Sequence, residues 1–443
     1  MFDSTIAVIS TALSQGAISI VRVSGDQAIE IVQKIFSRDI RHVPSHTIHY
    51  GYILDDDKEV VDEVLVSVFR GPKTYTTEDI VEINCHGGVY ITRKILSLVL
   101  SHGATMAKPG EFTQRAFYHG RIDLSQAEAV EDMIEASNDT ASHMAIQGIQ
   151  GSVKKLLEPL IEDILNIIAQ IEVNIDYPEY EDVEQLTTEE LLPMTKQWLT
   201  KLDKILSRAQ CGQLTKKGID TVLIGRPNVG KSSLLNALLE EDKAIVTDIA
   251  GTTRDLVEGQ IHIGPAQFNL IDTAGLRKSS DAIEQIGIEK TQEKLAQAQL
   301  VLLILDGSQP LTKEDEDLLE QTKDKNRLII YNKKDVKSEK HPDGIWISAQ
   351  NKEIDALLEA MKDLYQQDVL TEQPLLSNER QIGLLNQAKQ DMLQAKEAME
   401  QGVEPDLVEI DIQAAHDHLK EILGEVHRED LLDTLFSKFC LGK

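Results

Sequence analysis

Gly225-Arg226-Pro227-Asn228-Val229-Gly230-Lys231-Ser232 is the stretch on which the fold turns. It has the spacing G-x-x-x-x-G-K-[ST] of a phosphate-binding loop. Its flanks agree. Thr221-Val222-Leu223-Ile224 is an apolar run of strand character, and Ser233 to Leu239 reads as a helix. A strand, a glycine-rich loop and a helix N-terminus make an anion site from backbone alone. Successive N–H groups converge on the anion and the helix dipole favours negative charge. Lys231 would then reach the terminal phosphates, and the Ser232 hydroxyl would sit on Mg2+. An accidental glycine-rich turn is the plainer alternative.

The downstream sequence bears on that choice. Gly251-Thr252-Thr253-Arg254-Asp255 comes next. Phe268-Asn269-Leu270-Ile271 runs into Asp272-Thr273-Ala274-Gly275, and Leu328–Tyr331 runs into Asn332-Lys333-Lys334-Asp335. Ile345-Trp346-Ile347 then runs into Ser348-Ala349. The ordered series resembles the guanine-nucleotide-binding proteins. That resemblance implies that Thr253 senses Mg2+ and the γ-phosphate, that Asp272 holds Mg2+ through water, and that Asp335 reads guanine. The last role has a chemical basis. A carboxylate accepts from N1–H and the 2-amino group together, and adenine offers no such pair. Open α/β sheets bind ligands at the carboxyl ends of their strands, where each of these pieces falls.

Length and composition set the frame. At 443 residues the chain has room for about three domains. Hydrophobic residues make up 41%, enough for real cores. The longest apolar run, Leu300–Leu305, is far too short to span a bilayer and reads as a central strand. The start, Met1-Phe2-Asp3-Ser4-Thr5, has no basic region of the kind that opens a secretory signal. Cys85, Cys211 and Cys440 are odd in number and far apart, which is no disulfide framework. The expectation is a cytoplasmic protein with reduced thiols and no membrane association. With 45 basic against 74 acidic residues the net charge is −29, which argues against broad nucleic-acid binding. RNA would be met at a local basic site or through a partner.

The fold class expected is multidomain α/β and α. Residues 1–120 mix β-rich runs such as Ala17–Val23 and Val64–Phe69 with short helical stretches, an α+β domain. Residues 121–217 turn helical. Ser125-Gln126-Ala127-Glu128 reads as a capping box, and Val153, Leu156, Leu157, Leu160, Ile164, Ile167, Ile168 and Ile171 follow a helical stripe. Pro178 breaks that stripe, and Thr187–Glu190 caps a further helix. Residues 218–373 form the nucleotide domain. Helices resume over 374–443: Asn378 to about Gln401, Asp406 to Leu423 and Arg428 to Phe439, the first two stopped by Gly402 and Gly424. Helical sequence before and after the nucleotide domain implies that it is inserted into one bundle.

Four stretches narrow the resemblance. They are Gly120-Arg121-Ile122-Asp123-Leu124-Ser125-Gln126-Ala127-Glu128-Ala129, Glu82-Ile83-Asn84-Cys85-His86-Gly87-Gly88, Asp248–Asp255, and the end Phe439-Cys440-Leu441-Gly442-Lys443. They resemble the bacterial tRNA-modification GTPases of the MnmE (TrmE) family, across the whole chain. The resemblance implies an N-terminal domain that binds tetrahydrofolate and dimerises, a helical domain, and a Ras-like P-loop GTPase domain inserted in the latter. It implies a homodimer that joins the flavoprotein MnmG (GidA) in a heterotetramer. The pair would build a carboxymethylaminomethyl-type group at C5 of the wobble uridine of certain tRNAs, using a 5-formyl- or methylene-tetrahydrofolate carbon. The tRNA would be held largely by the partner, and GTP and GDP would drive a conformational cycle with K+ and Mg2+.

Residue by residue, the resemblance implies a GTP site of Asn228, Val229, Gly230, Lys231, Ser232, Ser233, Thr247, Asp248, Ile249, Ala250, Gly251, Thr252, Thr253, Asp272, Thr273, Ala274, Gly275, Asn332, Lys333, Asp335, Ser348 and Ala349. Ser232 and Thr253 would hold Mg2+. Asn228, Thr247, Ile249 and Thr252 would hold K+ where other GTPases place an arginine finger; a turn-forming role is the plainer reading of Asn228. Leu276 follows Gly275 where Ras-type proteins carry glutamine, and it cannot polarise water. Glu284 would be the catalytic residue instead, its alternative being a solvated charge. Arg22, Glu82, Arg121 and Lys443 would contact folate. Cys440 is either a nucleophile or a small packing residue. Adjacent Cys85 and His86 are poor evidence for a metal, and His416 and His418 read as helix-face residues. A ribosome-assembly switch of the Era or Der kind shares the nucleotide motifs, and a dimerisation-gated regulatory scaffold is a further alternative. The acidic helical host and the Cys-Leu-Gly-Lys end stand against the first, and folate binding by residues 1–120 would separate the second.

Overall fold

The computed structural model describes residues 4–136, 138–176, 190–240, 259–263, 266–272, 295, 298–336, 344–365 and 376–426, and then 432, 435–437, 439 and 442; the side chains of 174–176, 210–217 and 272 are excluded. By contacts the chain divides into two units. One joins Met1–Glu135, Ala145–Lys196 and Gln387–Lys443, and the other joins Ala136–Met144 and Gln197–Asn386.

The first unit carries six strands: β1 (Ile6–Ile9), β2 (Ile18–Ser24), β3 (Thr47–Leu54), β4 (Val60–Phe69), β5 (Ile80–His86) and β6 (Thr105–Met106). Their order is β3-β4-β5-β2-β1-β6, antiparallel except for β1 beside β6. Side chains alternate across the sheet; one face is covered throughout, and the other only towards β1, where Ile6 and Val8 pack with Ala107 and Phe112. Val21, Val23, Val64, Val66, Val68, Val81 and Ile83 point into a core shared with Ala28, Ile31, Val32 and Ile35 of α1 (Ala28–Ile35) and with Ile95 and Val99 of α2 (Val89–Ser101). Each such side chain taken from water contributes about 1.5–3 kcal/mol. The alternate positions, Arg22, Glu82 and Asn84 among them, face the other way.

Helix α3 (Glu111–Tyr118) starts from Gly110, whose φ of 68° is left-handed. A Cβ there would run into the backbone of Phe436. Phe117, Leu124, Ala127, Leu432, Phe436 and Phe439 form one small core, so the end of the chain packs beside α3 and α4 (Leu124–Glu135). The capping box of α4 lies two residues earlier than the sequence suggests. Asp123 Oδ1 accepts from Gln126 N at 2.9 Å, and Gln126 Oε1 accepts from Asp123 N at 3.0 Å. Asp123 outcompetes Ser125, whose hydroxyl itself donates to the Asp123 carboxylate at 2.6 Å. After α5 (Asp139–Ile149), helix α6 (Ser152–Asp176) buries Val153, Leu157, Leu160, Ile164, Ile167, Ile168 and Ile171, the expected stripe; Leu156 is only half-buried. Pro159 sits inside it on the exposed side, and the helix runs through. The expected break at Pro178 and cap at Thr187 lie outside the described residues. Helix α7 spans Leu192–Lys217.

The second unit holds β7 (Ile219–Ile224), α8 (Lys231–Glu240), β8 (Gly259–Ile263), β9 (Ala266–Asp272), β10 (Leu300–Asp306), α9 (Lys313–Gln321), β11 (Arg327–Asn332), β12 (Ile345–Trp346) and α10 (Asp355–Tyr365). The order is β12-β11-β10-β7-β9-β8, parallel except for the β8–β9 hairpin. Every residue of β10 is buried, as a strand covered on both faces requires. Two further helices follow, α11 (Glu379–Glu400) and α12 (Pro405–Leu423). Asn378 Oδ1 accepts from Arg380 N at 2.9 Å, and Gly424 ends α12 at a φ of 78°. Within the first unit α12 packs along α6.

Candidate functional site

At the carboxyl end of β7 the chain turns sharply. Gly225 lies so close to β10 that a Cβ would meet the Ile304 carbonyl. Asn228 and Gly230 both have left-handed backbones, with φ of 65° and 98°. A side chain on Gly230 would collide with the Asn332 carboxamide. The loop therefore needs glycine at both ends and tolerates asparagine between them. Helix α8 begins at Lys231, and its first N–H groups have no intrahelical acceptor. Lys231 is buried, and its ammonium straps the loop, donating to the carbonyls of Gly225 at 2.8 Å and Arg226 at 3.0 Å. Ser232 and Ser233 are exposed on the first turn.

Asn332 closes β11 and ties two loops together. Its Nδ2 donates to the Val229 carbonyl at 2.8 Å, and its Oδ1 accepts from Ala349 N at 3.0 Å. The side chain is buried. The structure thus commits Asn332 to holding the phosphate loop against the Ser348-Ala349 loop. Asp335 is exposed, and its Oδ1 accepts from the Ser348 hydroxyl at 2.5 Å. Lys333, left-handed at a φ of 69°, pairs with Asp306 Oδ2 at 2.8 Å. Burial pushes the Asp306 carboxyl up, but hydrogen bonds from Lys333 and Ser308 outweigh it and leave Asp306 below the usual carboxylate range. Asp306 escaped the sequence reading; its one signal is an acidic residue closing the run Leu300–Leu305. Arg226 escaped it too. Its Nε lies 3.4 Å from Asp315, which caps α9 with Thr312.

Asp272 ends β9 opposite Leu223 of β7, one strand from the phosphate loop. The remaining expected nucleotide and ion contacts, Thr247, Asp248, Ile249, Ala250, Gly251, Thr252, Thr253, Thr273, Ala274 and Gly275, lie outside the described residues, as does Glu284.

A second site lies on the open face of the antiparallel sheet. Register places Arg22 of β2 directly opposite Glu82 of β5. The Arg22 Nε and Nη2 both lie 2.9 Å from Glu82 Oε1, and Nη1 donates to the Gly442 carbonyl at 3.1 Å. Gly442 has a φ of 100° and sits against Ser10, where a Cβ would come within 2.9 Å. Lys443 and Cys440 lie outside the described residues. Arg22, Glu82 and Arg121 line one groove of about 430 Å³. The Arg121 guanidinium stands 4.9 Å from the ring centre of Tyr75, whose hydroxyl pairs with Thr113 at 2.9 Å. Burial pushes the Tyr75 phenol up. Tyr75, Phe69, His46 and Lys73, also in the lining, carry no motif a sequence reading could use. Nearby, fully buried Arg115 bridges Glu78 and Glu111 at 2.9 Å each, pinning α3 to the loop before β5.

Cys85 and His86 point to opposite faces of β5. Cys85 is buried, with its thiol pushed up by burial, and His86 is exposed and bonded to Asp62 at 2.7 Å. His416 and His418 are half-buried, with His418 3.3 Å from Asp391 of α11. Among the described residues no helix is long and apolar enough to cross a membrane.

A glycine-rich loop strapped by a lysine, with an Asn-Lys-x-Asp turn and a Ser-Ala turn beside it at the carboxyl ends of a parallel sheet, defines a P-loop GTPase of the guanine-nucleotide-binding class. The family profile of the TrmE N-terminus matches residues 5–121, and that of the MnmE helical domain matches residues 124–440. The tRNA modification GTPases MnmE of Bacillus cytotoxicus and Bacillus mycoides are each 48% identical to the chain over 457 aligned positions, 100% of both lengths. Among solved structures, Era of Aquifex aeolicus is 24% identical, covering 40% of this chain and 67% of that one with a TM-score of 0.27. The chain belongs to the MnmE (TrmE) family.

Proposed function

We propose that this protein hydrolyses GTP in the service of tRNA modification. Acting with the flavoprotein MnmG as a heterotetramer, it adds a carboxymethylaminomethyl-type group at C5 of wobble uridine, in the cytoplasm. The observation that carries this reading is full-length kinship at 48% identity, joined to a phosphate loop and a guanine-reading turn tied together by Asn332. Kinship over both ends of the chain also favours it over an Era- or Der-like assembly switch. In this reading 1–120 binds folate and dimerises, 121–217 and 374–443 form the helical domain, and 218–373 is the GTPase.

Lys231 and the amides of Asn228–Ser233 hold the phosphates, while Asp335 accepts from the guanine edge and Ser348 orients it. The exposed Ser232 hydroxyl suits Mg2+, with Thr253 as its companion. Mg2+ supplies charge neutralisation at the phosphates. Asn228, turned left-handed and exposed, would offer a carboxamide oxygen to K+, with Thr247, Ile249 and Thr252 as its further ligands. Glu284 positions the attacking water. At the other site Glu82 would accept from the ring N–H and amino donors of a tetrahydrofolate, Arg22 holds Glu82 in place, and Lys443 would be a further contact. The 5-formyl or methylene derivative supplies the carbon.

The test is nucleoside analysis of tRNA from cells lacking the protein. The expected result is loss of the C5-modified wobble uridines and their return with the wild-type gene but not with Glu284→Ala. Unchanged nucleosides would overturn the reading.

A further inference from the structure

The groove on the antiparallel sheet has a charge out of keeping with the rest of the chain. The whole protein carries −29, yet among the described residues the lining brings together Arg22, Lys73 and Arg121 against one carboxylate, Glu82. That carboxylate is already engaged by Arg22. Among the described residues neither Lys73 nor Arg121 has a salt-bridge partner. Both are exposed, as is His46, whereas Thr74 and Ile80 in the same lining are buried. The groove therefore has a buried floor that includes Ile80 and a Thr74 whose hydroxyl donates to the Glu78 carbonyl, an acceptor on one wall and a cationic mouth. Arg121 is steadied by the Tyr75 ring at 4.9 Å, which leaves its planar fork to face a carboxylate.

A ligand that answers all three features has a flat head with N–H donors and an anionic tail. Resting on the folate reading above, we propose that Lys73 and Arg121 read the glutamate tail, so that the groove selects polyglutamylated tetrahydrofolates over the monoglutamate. Each γ-linked glutamate adds one carboxylate at the mouth. Exposed ion pairs are individually weak, so the selection is built from several small gains and fades with salt. An RNA backbone is a poorer fit. The site is a single concavity of about 430 Å³ rather than a basic stripe along which a backbone could run.

The experiment is calorimetric titration of the full chain with 5-formyl-tetrahydrofolate as mono- and triglutamate. Wild type should bind the triglutamate on the order of tenfold more tightly, as two extra exposed pairs allow. Lys73→Glu, at an exposed position, should bring the ratio to about one, and Lys73→Arg should keep it. Equal affinities in wild type, or a ratio that survives Lys73→Glu, would overturn the proposal while leaving the folate site standing. Displacement of the triglutamate by stoichiometric tRNA would assign the mouth to RNA and overturn it as well. Failure of wild type to bind either form would sink the folate reading and the proposal together.

Discussion

In the parallel sheet, β10 buries every residue from Leu300 to Asp306; in the antiparallel sheet, β3 leaves Ile48, Tyr50 and Tyr52 exposed on one face. The difference decides where each sheet can do chemistry. A sheet covered on both sides has no free face, so its site is made at strand ends, from loops contiguous in sequence. A sheet with one open face can place side chains directly on it. Arg22 and Glu82 meet there because register sets them opposite, although sixty positions separate them in the chain. Strand-end sites are built largely of backbone held in place by glycine, and open-face sites of side chains held by one another.

The two sheets differ most in consequence at Glu284. If the strand-end loops carry the reaction, Glu284→Ala lowers single-turnover GTP hydrolysis on the order of 10²-fold while GTP affinity stays within a few-fold. Unchanged turnover would return Glu284 to the solvated surface and leave the parallel sheet without a catalytic group. Asn332→Ala tests the backbone side of the contrast. It leaves the Val229 carbonyl and the Ala349 N–H unpaired in a buried place, costing about 2–4 kcal/mol of stability in urea denaturation. A loss under about 0.5 kcal/mol would mean that the two loops hold their shape without it.

The same contrast explains what was legible. The phosphate loop, Asp272, Asn332-Lys333-x-Asp335 and Ser348-Ala349 could be read because their spacing is local. The stripe on α6 and the glycine stops after α11 and α12 were legible for the same reason. The cap of α4 was misplaced because Asp123 and Ser125 are both good caps, and only the fold chooses between them. The task of Asn332 was hidden, since its partners Val229 and Ala349 lie far off in sequence. The open-face groove was visible only through family resemblance. Tyr75 and Lys73 reach it from the loop between β4 and β5, and the Gly442 carbonyl by the docking of the chain end, neither of which leaves a pattern.

The smallest effect expected sits on that open face. The Asp62 hydrogen bond, and then its charge, raise His86 above its ordinary value of about 6.5. A raised folded value means that the pair's stabilisation is complete below the unfolded value and fades as pH rises through the folded one. Proton NMR should give a His86 midpoint above 6.5 that returns toward it in Asp62→Asn. A midpoint indifferent to Asp62 would show that the contact is not kept in solution.

On this reading one chain holds two separate ligands on two differently built sheets. Calorimetry of the full chain with GDP and with 5-formyl-tetrahydrofolate, in wild type, Asp335→Asn and Glu82→Ala, tests it most directly. Asp335→Asn should weaken GDP on the order of 10²-fold and leave the folate within a few-fold, and Glu82→Ala should do the reverse, each loss being that of a charged hydrogen-bond acceptor. Either substitution weakening both ligands alike, or leaving its own ligand untouched, would contradict the account.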